Sequence, residues 1–550
     1  MIQKRGRRTG PDAEGSGNPA RGSRPLYPAI ASTIGAYRNV LFRAPAANFP
    51  VEKRGVVQEA IHSIPKRSPR AWPIHRRCSG SLREMPPSRK DQSSLTRAVA
   101  LAWLDRRINY ERAIPQKISA GTFGLARMRR LLAAIGAPQQ HFPVVHVAGT
   151  KGKGSTVAMI AAILAEAGHT VGRYMSPHVH NLEERIAIND RAISASDLVN
   201  AFRHVMPAVD ALDRIAEKRN TNGPTWFEIM TAIAMVHFAR KKVPIAVIET
   251  GLGGRLDATN TAQPILSIIT SISLDHMAIL GTTIEQIAGE KAGIIKRGCT
   301  VISGVNDGPA SSVIAATATR RRAPLLQLER DFQAEHRRYG TSPLTALAGG
   351  ELEFRRSVPG QATAPLLFRI GMPGRHQAIN AALAVMAAQK LEALGFHLPL
   401  PAIARALQKV HLPARIETLC QRPLVVVDAA HNVASMQALI ETLEPILAAF
   451  CPRVLVFAAS NDKQIEAMLA AATDQFEHIV VTRYATNPRA ATLQRLTEAC
   501  IQAGWPQPHA AHSPQEALHL AQSLATPQGF VCIAGSFFLA SEIGSYPCAE

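Results

Sequence analysis

A lysine set among glycines and hydroxyl residues is the part of this sequence with the clearest chemistry. The valine-rich run Val144–Val147 leads into the letters AGTKGKGST at 148–156. Glycines let a loop turn its backbone N–H groups inward, and a nearby lysine supplies a cation for phosphate groups. The spacing departs from the usual G-x-x-x-x-G-K-[ST] pattern, because Gly154 separates Lys153 from Ser155. The segment predicts a loop that binds a nucleoside triphosphate; an ordinary glycine turn is the alternative.

Polar residues also follow other apolar runs. Glu249 comes at the end of one run, Asp275 and His276 follow the next, and Ser176 stands before a proline. Each of them alone could be a helix cap, a turn residue or a solvated charge. The carboxyl ends of parallel strands meet at one edge of a sheet, where a Mg²⁺ bound to triphosphate needs oxygen ligands. Together with the glycine loop, these residues predict one magnesium and triphosphate site.

The elements that must position these groups alternate between strand and helix. The short β-branched runs 244–248 and 265–269 are typical of buried parallel strands. Helices are predicted at 98–104, 125–134, 228–239 and 378–394. The polar, glycine-containing segment 331–370 is interpreted as an irregular insertion or long loop. This alternation predicts a doubly wound α/β fold.

The alternation is repeated in the last part of the chain. Strands are predicted there at 424–427, 454–457, 478–482 and 530–534. We therefore expect a domain over 95–411 and a second one over 412–550, with a ligand cleft between them.

The first part of the chain differs in composition. Of the net charge of +21, residues 1–90 carry +13, from 18 Lys and Arg against 5 Asp and Glu. Residues 1–94 are therefore expected to be a basic and largely disordered extension. Three interpretations stay open: an arm for nucleic acid or targeting, an inert extension, and an upstream stretch that precedes a true start at Met85.

Composition also bears on location. Seven scattered cysteines without a C-x-x-C pair indicate neither a disulfide framework nor a zinc site, and fit a reducing compartment. No apolar run approaches the roughly 20 residues that span a bilayer, and no signal-peptide core is present at the start. A cytoplasmic protein without a membrane partner is expected.

Several segments together resemble the folylpolyglutamate synthase/dihydrofolate synthase family, a branch of the Mur ligase superfamily. The resemblance covers roughly 97–540 and is highly specific in combination. The segments that carry it are His146–Thr156, Ser176–His178, Glu184–Ile186, Gly251–Asn260, Leu274–His276, Glu290–Lys296 and Asp428–Asn432. It implies a P-loop-containing Mur-ligase-type central domain with a parallel sheet, followed by a smaller Rossmann-like C-terminal domain.

The resemblance also implies an activity. In this family ATP phosphorylates a carboxylate of folate or dihydropteroate, and the amino group of L-glutamate then attacks the acyl phosphate. Positioned cations are needed because triphosphate charge must be held during transfer. Lys151 stands where the family often has asparagine.

Site residues follow by match to the family's motifs. Lys153, Lys291 and His276 are the implied catalytic residues, and Lys291 matches a lysine that is carbamylated in the family. One or two Mg²⁺ ions are implied, with Ser176, Glu249 and His276 as ligands. The implied ATP-binding residues are Gly152, Lys153, Gly154, Ser155, Asn380, Arg415, Asp428 and His431. The implied folate contacts are Thr225, Trp226, Phe227, Glu228, Leu256, Asp257 and Ala258.

Two other functions compete with this one. One is another Mur-type ligase that acts on a cell-wall precursor or another carboxylate. The segments 225–228 and 251–260 argue against it, because they match the folate-ligase family. A nucleic-acid-binding NTPase is disfavoured because residues after 90 carry only +8 without an aromatic and basic stripe. We expect a monomer that binds small molecules and no nucleic acid.

Overall fold

The computed structural model describes residues 95–112, 123–340, 342–357 and 363–544. The basic extension predicted at 1–94 and the alternative start at Met85 lie outside the described residues. None of the described helices is long and apolar enough to cross a membrane.

The first sheet has eight strands in the order β4-β3-β2-β5-β1-β6-β7-β8. Strands β2, β5, β1, β6, β7 and β8 are parallel, while β3 and β4 add an antiparallel edge. The strands are β1 (Val144–Ala148), β2 (Val171–Tyr174), β3 (Ile186–Ile188), β4 (Arg191–Ala192), β5 (Ile245–Glu249), β6 (Pro264–Ile269), β7 (Thr300–Ser303) and β8 (Leu325–Gln327).

The four predicted helices of this half are found to within three residues, and further helices lie between them. They are α1 (Arg97–Asp105), α2 (Leu125–Ala134), α3 (Lys153–Glu166), α4 (Ala195–Lys218), α5 (Trp226–Arg240), α6 (Met277–Leu280), α7 (Ile284–Ala292), α8 (Gly308–Arg321), α9 (Pro343–Leu347), α10 (Arg375–Ala393) and α11 (Leu400–Lys409).

Both faces of the first sheet are buried. Val145 and Val147 of β1 pack with α3 and α10 on one face, and Val144 packs with α2 and α5 on the other. A strand buried on both faces needs apolar residues at successive positions, which explains the unbroken valine and isoleucine runs.

The interpretation of 331–370 as irregular is wrong. The segment forms a three-stranded antiparallel sheet of β9 (Phe332–Arg338), β10 (Gly350–Arg356) and β11 (Leu366–Ile370). Phe354 is buried, whereas Arg355 beside it is exposed and pairs with Glu353. One face packs on the core and the other carries ion pairs, so the alternating polar residues were mistaken for a loop.

The second sheet has six strands in the order β12-β13-β17-β14-β15-β16, parallel except for β12. Its strands are β12 (Glu417–Gln421), β13 (Leu424–Val427), β14 (Arg453–Phe457), β15 (His478–Val481), β16 (His509–Ala510) and β17 (Phe530–Ala534). Its helices are α12 (Val433–Leu447), α13 (Ile465–Ala470), α14 (Leu493–Gln502), α15 (Pro514–Ala525) and α16 (Phe537–Ile543). The predicted α/β class with two parallel sheets is confirmed; the boundary at 411/412 stays a prediction.

Four of the described cysteines, Cys299, Cys451, Cys500 and Cys532, are free thiols.

Candidate active site

A cleft of about 510 Å³ lies at the carboxyl ends of β1, β5 and β6 and is completed by loops of the second sheet. It brings together most of the residues predicted from the sequence. Those that line it are Gly152, Lys153, Gly154, Ser176, Thr225, Phe227, Glu228, Glu249, Leu256, Asp257, Ala258, His276, Lys291, Arg415 and His431.

The glycine loop joins β1 to the first turn of α3. Gly152 caps that helix with a φ of 79°, in the left-handed region that favours glycine. A Cβ at this position would lie 2.2 Å from Oδ1 of Asn380, so a side chain there would clash. The helix begins at Lys153, so its first N–H groups have no intrahelical partner, an arrangement suited to binding phosphate.

Lys153 and Glu249 face each other across this loop. Lys153 Nζ lies 3.9 Å from Oε1 of Glu249, whose Oε2 accepts the backbone N–H of Ser176 at 3.1 Å. Burial raises the pKa of the Glu249 carboxyl, and the charge of Lys153 opposes that rise. A buried carboxylate with spare acceptor capacity beside a phosphate loop is suited to a magnesium–phosphate complex.

Lys291 is a buried amine at the end of α7. Lys291 is only 5% exposed, and its Nζ donates a hydrogen bond to the backbone oxygen of Gly149 at 2.8 Å. Burial lowers the pKa of Lys291 to about 7, and the nearby charge of Lys153 adds to the effect. A large fraction of this amine is therefore neutral near pH 7, the form that reacts with electrophiles.

His276 occupies the start of α6 with a φ of 52°. Burial lowers its pKa to about 3, although the carboxylate of Asp275 opposes the effect. The imidazole is therefore neutral at ordinary pH, as a metal ligand must be.

Two of the predicted ATP-binding residues lie behind the loop instead of in the cleft wall. Ser155 is buried within α3. Asn380 is buried on α10 and accepts a weak hydrogen bond from Thr156 Oγ1 at 3.5 Å, while its amide donates to Gln377. The contacts of Asn380 support the loop from the α10 side.

The second sheet contributes Arg415, Asp428 and His431. The Arg415 guanidinium lies 4.7 Å from the ring centroid of Phe537, at the cleft wall. Asp428 does not line the cleft, because its carboxylate accepts the N–H groups of Ile416 and Ala430. Burial raises the pKa of Asp428 to about 6. Asp428 therefore shapes the segment that carries Arg415.

Of the substrate residues predicted at the start of α5, some line the cleft and one does not. Thr225 caps this helix and, like Phe227 and Glu228, lines the cleft. Trp226 does not line it; it is 4% exposed, belongs to the core, and stacks under the guanidinium of Arg185. The helical turn after Thr225 sends neighbouring side chains in different directions, so the four predicted contacts could not all face one cavity.

Asp257 lines the cleft from the turn after β5, with its oxygens already engaged. The carboxylate accepts the N–H groups of Leu252 and Thr259 at 2.9 and 3.0 Å. Burial raises the pKa of this carboxyl. Asp257 thus holds the shape of the loop that bears Leu256 and Ala258.

The comparisons with known proteins agree with this geometry. Residues 147–388 match the Mur ligase middle domain, and 414–537 match the Mur ligase glutamate ligase domain. A dihydrofolate synthase/folylpolyglutamate synthase of Bacillus subtilis is 37% identical over 424 residues, which are 76% of this chain and 94% of the relative. The chain belongs to this family of Mur ligases.

Solved structures extend the likeness to the whole fold. The folylpolyglutamate synthase of Mycobacterium tuberculosis complexed with ADP is 30% identical with a TM-score of 0.72, covering 82% of this chain and 99% of that one. An FPGS–AMPPCP–folate complex is 31% identical with a TM-score of 0.68, covering 81% and 98%. The family and the Mur-type two-domain fold are confirmed, and the chain is an ATP-dependent ligase.

In this ligase Asp275 connects the two halves of the cleft. Its Oδ2 accepts from Lys151 Nζ at 3.0 Å and from Asn432 Nδ2 at 3.2 Å, and its Oδ1 accepts from Lys463 Nζ at 2.7 Å. Although burial opposes ionisation, the cations Lys151 and Lys463 hold the pKa of Asp275 well below its usual range. Lys151 belongs to the phosphate loop, whereas Lys463 and Asn432 belong to the second half.

Asp275→Asn should therefore destabilise the protein. We expect the free energy of unfolding to fall by about 3 kcal/mol, because two cations would lose a buried anion. Urea unfolding measures this, with the exposed Asp474→Asn as the control. A loss below about 1 kcal/mol, the range of a surface ion pair, would contradict the role.

A buried arginine fixes another wall of the ligase cleft. Arg185 is 1% exposed and donates two hydrogen bonds to the carboxylate of Glu111, at 2.9 and 2.6 Å, and one to His178 Nδ1. The backbone oxygen of Glu111 accepts in turn from Asn487 and Arg489 of the second half. The segment around Glu111 is thereby held by both halves.

Glu111→Gln should leave the Arg185 charge buried without its anion. We expect a loss of about 3 kcal/mol in the free energy of unfolding. Glu183→Gln is the matched control, since Glu183 pairs with the exposed Arg97 and should cost less than about 1 kcal/mol. Equal losses in the two variants would show that burial of Arg185 is unimportant.

Sequence reasoning missed the second-half residues Lys463 and Arg489, both in the cleft wall. Lys463 could have been found from the sequence, because the polar residues 460–463 follow soon after strand β14. Glu249 was found in the same way, at the end of β5. Arg489 carried no comparable signal; it is placed by its ion pair with Asp462 and its bond to Glu111.

Proposed function

We propose that this chain joins L-glutamate to a folate, to dihydropteroate, or to both, with ATP as the energy source. ATP would phosphorylate the acceptor carboxylate, and the glutamate amine would displace phosphate to form the amide. Relatives that carry the names of both activities support the substrate class. The observation that carries the proposal is a single cleft with a phosphate loop at one end and an aromatic wall at the other.

The phosphate end would act mainly by holding negative charge. The loop N–H groups, including those of Gly154 and Ser155, and the ammonium of Lys153 would bind the phosphates, and Arg415 and His431 would approach from the second half. Such fixed cations stabilise the charge that spreads over a transferring phosphoryl group.

The metal proposal rests on Glu249, Ser176 and His276. Within the described part of the chain no three His, Cys, Asp or Glu side chains form a metal cluster. Mg²⁺ commonly takes one or two protein oxygens and completes its shell with phosphates and water, so a sparse donor set fits. The ion would supply charge neutralisation to the triphosphate.

Lys291 is proposed to be carbamylated. Its buried amine has a pKa of about 7, and its Nζ donates to a backbone oxygen and not to a carboxylate. Attack of the neutral amine on CO₂, with loss of one proton, would give an anion that can serve a second Mg²⁺ or position the loop.

The acceptor end is proposed to hold the pterin. Tyr110 and Phe123 bring their ring centroids to 5.0 Å at the wall, and Phe227 adds a third ring. Stacking on flat heterocycles suits such rings. Thr225, Glu228, Leu256, Asp257 and Ala258 complete the proposed acceptor contacts.

Glutamate-dependent ADP release tests the proposal, with dihydropteroate and tetrahydrofolate as separate acceptors. Turnover with either acceptor, absent without glutamate, is expected. No turnover with both at saturating ATP, or turnover only with a cell-wall precursor, would contradict it. A cytoplasmic location and a monomeric state remain predictions.

A further inference from the structure

A second cavity of about 370 Å³ lies beside the cleft. Its floor is the last turn of α7, where Gly289, Ala292 and Gly293 present little side-chain volume. Its rim carries three arginines, Arg255 from the turn after β5 and Arg320 and Arg321 from the last turn of α8. We call this cavity the arginine groove.

The arginine groove adjoins the reaction centre. Arg255 lines both cavities, and its guanidinium pairs with Glu290 at 2.7 Å while its N–H donates to the Glu290 carbonyl. A Cβ at Gly293 would lie 2.5 Å from Cα of Arg255, so the two walls are in close backbone contact there. Helix α7 thus presents Lys291 to the cleft and Gly289 to the groove.

The groove is strongly positive. None of its nine lining residues, all within the described chain, is acidic. Burial, with added repulsion from Arg321 and Arg129, lowers the pKa of neighbouring Lys296 to about 8. Arg129, Arg320 and Arg321 are exposed. Arg255 is paired with Glu290, whereas Arg320 and Arg321 meet no carboxylate among the residues that line the groove, and cations placed in this way attract an anionic ligand.

The proposed reaction produces such a ligand. Each round that adds a glutamate consumes one carboxylate and brings two, so the product gains one free carboxylate and is an acceptor for the next round. Its terminal carboxylate must return to the glycine loop at Lys153, so the earlier glutamates need a place beside the reaction centre. A cavity next to Lys291 offers the space, and Arg320 and Arg321 on its rim offer the charge.

We propose that the arginine groove binds the polyglutamate tail of the folate acceptor, and that Arg320 and Arg321 hold its carboxylates. This inference rests on the proposed function. Because the tail carries one charge per added glutamate, the contribution of these arginines grows with tail length.

The test compares folate monoglutamate with folate pentaglutamate. In the double variant Arg320→Ala/Arg321→Ala, the kcat/KM for pentaglutamate relative to monoglutamate should fall about tenfold, the combined effect of two exposed ion pairs. Lys218→Ala/Arg219→Ala is the matched control, since it removes two exposed cations at the end of helix α4. An unchanged ratio in the first variant, or an equal fall in both, overturns the inference.

Calorimetric binding of folate pentaglutamate separates this inference from the proposed function. Wild-type protein should bind it about tenfold more tightly than the Arg320→Ala/Arg321→Ala variant, even if ligation is absent for another reason. Equal binding overturns the inference. Displacement of the pentaglutamate by duplex DNA at equal charge concentration would also overturn it, because the groove would then be a general polyanion surface.

Discussion

Lys153→Ala should lower kcat/KM for glutamate ligation by about 10³-fold or more. The ammonium is the cation of the phosphate loop closest to Glu249, and it would hold charge on the transferring phosphoryl group; losses of this size follow removal of such groups. Steady-state ADP release measures the effect, and calorimetry should show weaker ATP binding.

Two controls keep this result interpretable. Lys241→Ala removes an exposed lysine that pairs with Asp197 at 3.0 Å, and should leave the rate unchanged. Urea unfolding of Lys153→Ala checks that the loss of activity is not a loss of folding. We expect the variant to stay folded, because Glu249 keeps its hydrogen bond from the Ser176 N–H. Full activity in the folded variant would refute the assignment of the phosphate loop.

Lys291→Arg should produce a loss of comparable size. A guanidinium keeps the positive charge but does not form a carbamate, so the proposed anion would be missing. We expect kcat to fall by about 10²-fold or more, in the range seen when one positioned charged group is removed. Wild-type protein in ¹³C-bicarbonate should show a carbamate signal that the variant lacks.

The pH dependence follows from the pKa of about 7 at Lys291. Below pH 7 the amine is protonated and does not react with CO₂, so the signal should fade as the pH falls from 8 to 6. Lys296→Arg is the matched control, since it is a neighbouring, partly buried lysine that should leave the signal in place. No signal at pH 8 under saturating bicarbonate would contradict carbamylation.

The α/β class, most strand positions and the phosphate loop could be predicted from the sequence. These features depend on local patterns. Strands buried on both faces need uninterrupted apolar runs, and a strand followed by glycines and a lysine places backbone N–H groups around an anion. Glu249 and His276 were found for the same reason, because the ends of parallel strands share one edge.

Only the tertiary structure decided which partners these residues have. Asp275 meets Lys151 and Lys463, which are 124 and 188 positions away, and no local pattern reports such contacts. The sequence also did not show which way each side chain of a helical turn points. Trp226 packs in the core, while its neighbour Phe227 faces the cleft.

The sequence by itself therefore indicated the ligase family and the glycine loop, through short motifs whose residues are adjacent in the chain. The folded chain decided how the two halves meet, through Asp275, and where a positive groove opens beside Lys291. Ion pairs and cavities arise from segments that pack together across long separations, and their geometry depends on that packing more than on local propensity.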